Sequence, residues 1–168
     1  RSLCDWSADV CSSDLADGSV YTAGSTSSTN GNRDALLIKY NSAGSKQWQK
    51  QWDGRAHLDD TFGGIRVASD GSVYVGGATT QSDRNTDILL VKYSPTGTLL
   101  WQKSYGGAAQ GEDTIQDGTI DSAGNVYLVG RSMGTTYSDG LLLKYSPTGT
   151  LLFAKRINTA TKIGRAHV

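Results

Sequence analysis

The feature that most constrains this chain is self-similarity at a long fixed period. The string DGSVYTAG beginning at Asp17 returns as DGSVYVGG at Asp70 and as AGNVYLVG at Ala123, two steps of 53 residues. ALLIKYNSAG at Ala35 returns as ILLVKYSPTG at Ile88 and GLLLKYSPTG at Gly140, steps of 53 and 52, so the third unit is one residue shorter ahead of this string. WQKQW at Trp48, WQKSY at Trp101 and FAKRI at Phe153 follow in step. Repeats of this length are single supersecondary units that bury their apolar faces against one another, so whatever one copy folds into, all three must, and they must stack.

Inside a unit the periodicity is that of strands. Asp17-Gly18, Asp70-Gly71 and Gly124-Asn125 are tight-turn signals, because these residue types accept the positive φ that hairpin loops require. Ahead of the second and third lie the runs 64–68 and 118–121, which we label strand A; strand B follows, as in residues 72–77. Strand C, as in Ile88 to Tyr93, is almost continuously apolar, the pattern of a strand covered on both faces. Strand D alternates: Trp101, Lys103 and Tyr105 share one face, while Leu100, Gln102 and Ser104 share the other, as expected of an outer, half-solvated strand. Twenty-one glycines against two prolines agree with many turns and little helix. The expected class is all-β.

Sixteen Lys and Arg balance sixteen Asp and Glu, which gives no net field to attract nucleic acid or an anionic membrane. The apolar runs are far too short to cross a bilayer. The two ends read differently from the repeats. Residues 9–15, DVCSSDL, resemble a translated sequencing-library adapter, and 163–168, IGRAHV, resemble its reverse complement, the alternative being ordinary native ends. Asp5 to Ser7 continue the adapter, Ala8 departs from it, and residues 1–4 have no place in it. Excluding both ends leaves 146 residues with 13 basic and 13 acidic side chains, and removes both cysteines, Cys4 and Cys11, from any disulfide or metal argument. The expected organisation is 1–15 and 162–168 as adapter-like segments, with units at 16–59, 60–112 and 113–161.

A four-stranded unit of this length, with buried middle strands and an amphipathic outer one, is the signature of a propeller blade. The strings DGSVYVGG, DILLVKYSPTG and WQKSYGG resemble the bacterial β-propeller repeats known as SBBP repeats. A second bacterial propeller repeat of similar length, with GDFALARY at strand C, stands close; the Trp-Gln-Lys ending favours the first. The resemblance implies a toroidal propeller in an extracellular or cell-surface bacterial protein and implies no shared reaction. The expected fold is a partial β-propeller of about three four-stranded antiparallel blades, the first lacking its innermost strand. Phe153 replaces the strand D tryptophan in the third.

Several residues invite a chemical reading. Asp34, Asp87 and Asp139 precede strand C in each unit; a residue carried by every unit serves the shared fold, and Asx side chains at a strand entry cap backbone N–H groups. Asp59-Asp60 and Glu112-Asp113 precede strand A; neighbouring carboxylates in an extended segment diverge, which suits a corner better than an acid–base pair. Asp83, Asn85 and Asp87 have the opening spacing of a calcium loop, echoed by Asn30, Asn32 and Asp34, but Ile88 and Ser94 stand where that loop needs Gly and Glu, and the third unit offers Thr135, Tyr137 and Asp139. His57 beside Asp59 and Asp60 is expected to be solvated rather than a ligand. Trp48 and Trp52, like Trp101 and Tyr105, flank Lys50 or Lys103 in a row that matches Phe153 and Ile157, which predicts packing between blades rather than stacking of sugars or bases. Gly63-Gly64, Gly76-Gly77 and Gly106-Gly107 lack the context of a phosphate loop. No catalytic residue, cofactor or metal is therefore expected. The leading expectation is an interaction or scaffold module with an unidentified protein or carbohydrate partner and with further blades of its parent. The alternatives are a piece of a propeller enzyme acting on carbohydrate and a calcium-dependent sugar binder.

Overall fold

A computed structural model describes residues 11–15, 17–107, 111–133 and 138–157. Three antiparallel sheets follow one another along the chain. The first holds β1 (Cys11–Asp14), β2 (Val20–Ser27), β3 (Arg33–Tyr40) and β4 (Lys46–Trp52). The second holds β5 (Asp60–Val67), β6 (Val73–Thr80), β7 (Thr86–Tyr93) and β8 (Leu99–Tyr105), and the third β9 (Asp113–Ile120), β10 (Val126–Met133), β11 (Ser138–Tyr145) and β12 (Leu151–Ile157). Each sheet is a simple meander in sequence order, and the sheets pack face to face as blades of a partial propeller.

Turn chemistry sets the meander. In the β7–β8 hairpin Gly97 N–H donates to Ser94 O at 2.9 Å and Ser94 N–H to Thr98 O at 2.8 Å, which closes a three-residue loop with Gly97 at φ 81°. This is a type I turn followed by a left-handed residue, and it recurs at other hairpins of the repeat. The β6–β7 loop has Arg84 at the left-handed position, φ 67°, where a Cβ crowds the following carbonyl.

One expectation is refined and one corrected. The first unit itself supplies three strands, β2 to β4, as expected, and residues ahead of it add β1, which pairs antiparallel with β2 from Cys11↔Ala23 to Asp14↔Val20. Backbone pairing at an exposed edge depends little on side-chain identity, so four residues upstream of the repeat occupy the slot that eight-residue strands fill in the other sheets. Strand A also begins earlier than its pattern suggests, at Asp60 and Asp113. The register slips between Phe62 and Gly64, and again opposite Val129 and Gly130, and such a bulge breaks the alternation that marks a strand in sequence.

The middle blade is covered on both sides. Val73, Val75, Leu89 and Val91 pack with Tyr21, Ala23, Ala35 and Leu37 of the first blade. Tyr74, Ile88 and Leu90 point the other way and pack with Val126, Leu128, Leu141 and Leu143 of the third. This explains the unbroken burial from Ile88 to Tyr93 in β7. At the bulges the chains approach so closely that a Cβ on Gly77 would fall against the Thr61 carbonyl, and one on Gly130 against that of Thr114. Backbone cannot yield as a flexible side chain does, so Gly77→Ala is expected to cost about 1–3 kcal/mol in urea denaturation. Arg84→Gly relieves the left-handed loop residue and is expected to gain about 0.5–1 kcal/mol in the same measurement.

Candidate functional site

The repeated Tyr and Lys of each unit form one cross-strand row with Trp in the first two units and Phe153 in the third. Tyr74 lies opposite Lys92, and Lys92 opposite Trp101. The Lys92 ammonium sits 4.8 Å from the Tyr74 ring centroid, and the Tyr74 and Trp101 rings meet edge-on at 5.8 Å. Trp101 Nε1 donates to Pro147 O of the next blade at 3.0 Å, and Lys92 Nζ to the same carbonyl at 3.3 Å. The first blade repeats the arrangement with Tyr21, Lys39 and Trp48, and a Cβ on Gly97 of the next blade would touch the Trp48 ring. Trp52 donates to Gln102 Oε1 at 2.7 Å across the same junction. These aromatics therefore join blades, and Trp52 also lines an open cleft with Arg55, Gln81 and Gln102.

The acids divide into two groups. One caps turns: Asp70 Oδ1 accepts from Ser72 N–H at 2.8 Å, Asp121 accepts from Asn125 Nδ2 at Oδ2 and from Asn125 N–H at Oδ1, both at 2.8 Å, and Asp17 Oδ1 accepts from Ser19 N–H at 2.8 Å. These hydrogen bonds hold all three carboxyls below the usual range. Asp83 belongs here too, since its Oδ1 accepts from Asn85 N–H at 3.0 Å and its Oδ2 from Asn85 Nδ2 at 2.7 Å. Asn30 Oδ1 likewise accepts from Asn32 N–H at 3.1 Å. The calcium-like spacing is thus an Asx turn in both units. Thr135 and Tyr137 lie outside the described residues.

The second group lies at the entries to the third strand and at the corners between blades. Asp34 is the second residue of β3, buried, and accepts from Gln51 Nε2 of β4 at 2.6 Å. In the third blade Asp139 faces Arg156 Nε at 3.7 Å. The expected capping role at the entry to strand C is not what these side chains do; each faces a side chain of the outer strand. Asp60 and Asp113, both buried, instead tie the corner into strand A by accepting from Gly54 N–H at 2.6 Å and Gly107 N–H at 2.5 Å. Neighbouring Asp59 turns away and accepts from Arg33 N–H at 2.9 Å. Burial is the main influence on Asp60 and Asp87 and raises both carboxyls, with the Asp113 charge adding to the rise at Asp87.

Asp53, which the sequence did not single out, completes this arrangement. Its Oδ2 meets His57 Nδ1 at 2.6 Å and, through that contact above all, holds the imidazole pKa above its ordinary value. Asp34, Asp53 and Asp60 each bring an oxygen within 4.8 Å of the others. His57 is thus paired with Asp53 rather than with Asp59 or Asp60. Gly106 stands where the second unit would repeat Asp53, so comparison of repeats hides it.

A family model described as a domain of unknown function (DUF5122) beta-propeller matches residues 15–46 and 68–99, two stretches offset by the 53 residues of the internal repeat. Both matched stretches are similar to a β-propeller repeat, in keeping with the three antiparallel sheets of the fold. No curated protein matches the chain. Each matched stretch runs from the turn ahead of the second strand of a blade to the first residue of its fourth, and so includes the Tyr and Lys of the cross-strand row.

The turn-capping carboxylates set an acid limit on these blades. A folded pKa below the unfolded value of about 3.8 contributes stability that is complete above that value and is lost as pH falls through the folded one. The double variant Asp70→Ala, Asp121→Ala is expected to show a shallower loss of stability below about pH 4 than the parent chain, followed by circular dichroism.

Proposed function

We propose that the chain is a segment of a non-enzymatic propeller, of the SBBP-repeat type, that serves a secreted or cell-surface bacterial protein as an interaction or scaffold module. The observation that carries this reading is the pair of equivalent faces at its two ends. Val20, Thr22, Leu36 and Ile38 of the first blade correspond to Val73, Val75, Leu89 and Val91 of the middle blade, yet they are only half-buried, and Thr22, Leu36 and Ile38 line an open cleft of about 280 Å³. On the third blade Tyr127, Leu142 and Lys144 correspond to Tyr74, Leu90 and Lys92, and they too are half-buried, beside an exposed Val129. Each face has the shape and chemistry that a neighbouring blade covers elsewhere in the chain, which fits a unit that works as part of a larger ring. The loops that join the strands then supply the partner-binding surface, and the balanced charge favours a protein or carbohydrate partner over nucleic acid.

The isolated chain is expected to self-associate through these faces, seen as a concentration-dependent mass in light scattering. Leu142→Lys, on the half-buried face, is expected to reduce association and keep the fold. Leu90→Lys, at the same place in the covered blade, is expected to unfold it. A monodisperse monomer with one cooperative melt would overturn the reading of the end faces.

A further inference from the structure

The first junction between blades gathers more negative charge than its hydrogen bonds satisfy. Asp34 comes from β3, Asp53 from the connection after β4, and Asp60 from the start of β5, so one blade supplies the first two and its neighbour the third. Asp34 is 3% exposed and Asp60 1%. Asp34 gives one oxygen to Gln51 Nε2, and Asp60 gives Oδ2 to Gly54 N–H, with the Thr79 hydroxyl and Thr80 N–H also acting on its carboxylate; the Oδ1 of each has no hydrogen-bond partner. Two buried carboxylate oxygens without donors, beside a third carboxylate, are what a hard cation neutralises and an uncharged filler does not.

The spacing fits. Calcium takes oxygen ligands at about 2.3–2.6 Å, so oxygens across the ion lie about 5 Å apart. The three carboxylates each place an oxygen within 4.8 Å of the others. Gly54 leaves room beside them: a Cβ there would lie 3.1 Å from both Asp60 oxygens and 2.9 Å from Thr79 Oγ1. Asp53, the exposed member, opens the group to solvent and offers a route of entry. The second junction has Asp87 and Asp113 but Gly106 in place of Asp53, and so lacks the third carboxylate.

We propose that Asp34, Asp53 and Asp60 form a calcium site that clamps the third strand of the first blade to the corner and first strand of the next. The group differs from the Asp83-x-Asn85-x-Asp87 spacing, whose first acid is occupied by its own turn.

Thermal melts of the whole chain in EDTA and in millimolar CaCl₂ test the site. Calcium is expected to raise the melting temperature of the parent chain, and the rise is expected to vanish in Asp34→Asn and in Asp60→Asn. In EDTA both variants should melt at or above the parent, because Asn removes a buried charge; a purely structural role for either acid would lower them. Asp83→Asn should keep the calcium response. Terbium luminescence excited through tryptophan and displaced by calcium reads the site in the unaltered chain, independent of how any variant folds. A parent melt that ignores calcium, a calcium response that survives Asp34→Asn, or terbium binding that calcium does not displace would overturn the proposal.

Discussion

Everything in this chain depends on covering both faces of a sheet. A blade of four short strands has too little apolar surface on either side to hold itself together, and the middle blade shows the solution: alternate residues of β6 and β7 serve two different neighbours. The run Ile88 to Tyr93 is apolar but for Lys92 because neither side of its strand meets water. The row of Tyr, Lys and Trp adds direction to this packing. Tyr74, Lys92 and Trp101 reach forward to the turns at Gly124 and Pro147 of the following blade, so each blade presents side chains to its successor and turns to its predecessor.

Much of this was legible in the sequence because it is local or periodic. The hairpin loops follow from Gly at a fixed offset, the amphipathic outer strand from alternation at Trp101 to Tyr105, and the double-sided burial from the apolar run of the third strand. The pairing of blades was legible because the same aromatic position recurs in every unit. The β1 strand was not, since an edge recruits backbone without regard to side chains. The starts of β5 and β9 were hidden by bulges.

The junction acids illustrate a different limit. Asp34 and Asp60 could each be seen, but their meeting depends on how one blade lies on the next, which repeat spacing does not encode. Asp53 was hidden more deeply: comparing units draws attention to what recurs, and Asp53 is the member that does not. A local departure from the repeat, rather than the repeat itself, turned an ordinary corner into a cluster of three carboxylates.

The outer-strand residue facing the strand C aspartate also varies from blade to blade: Gln51 before Asp34, Ser104 at the corresponding place before Asp87, and Arg156 before Asp139. Near-identical repeats run the hazard of docking out of order, each interface being nearly as good for the wrong neighbour as for the right one. Neutral, small and cationic side chains opposite the same acid make the blades chemically distinct while leaving the backbone the same. Blades that look interchangeable by their strands thereby differ in the chemistry at the entry to the third strand.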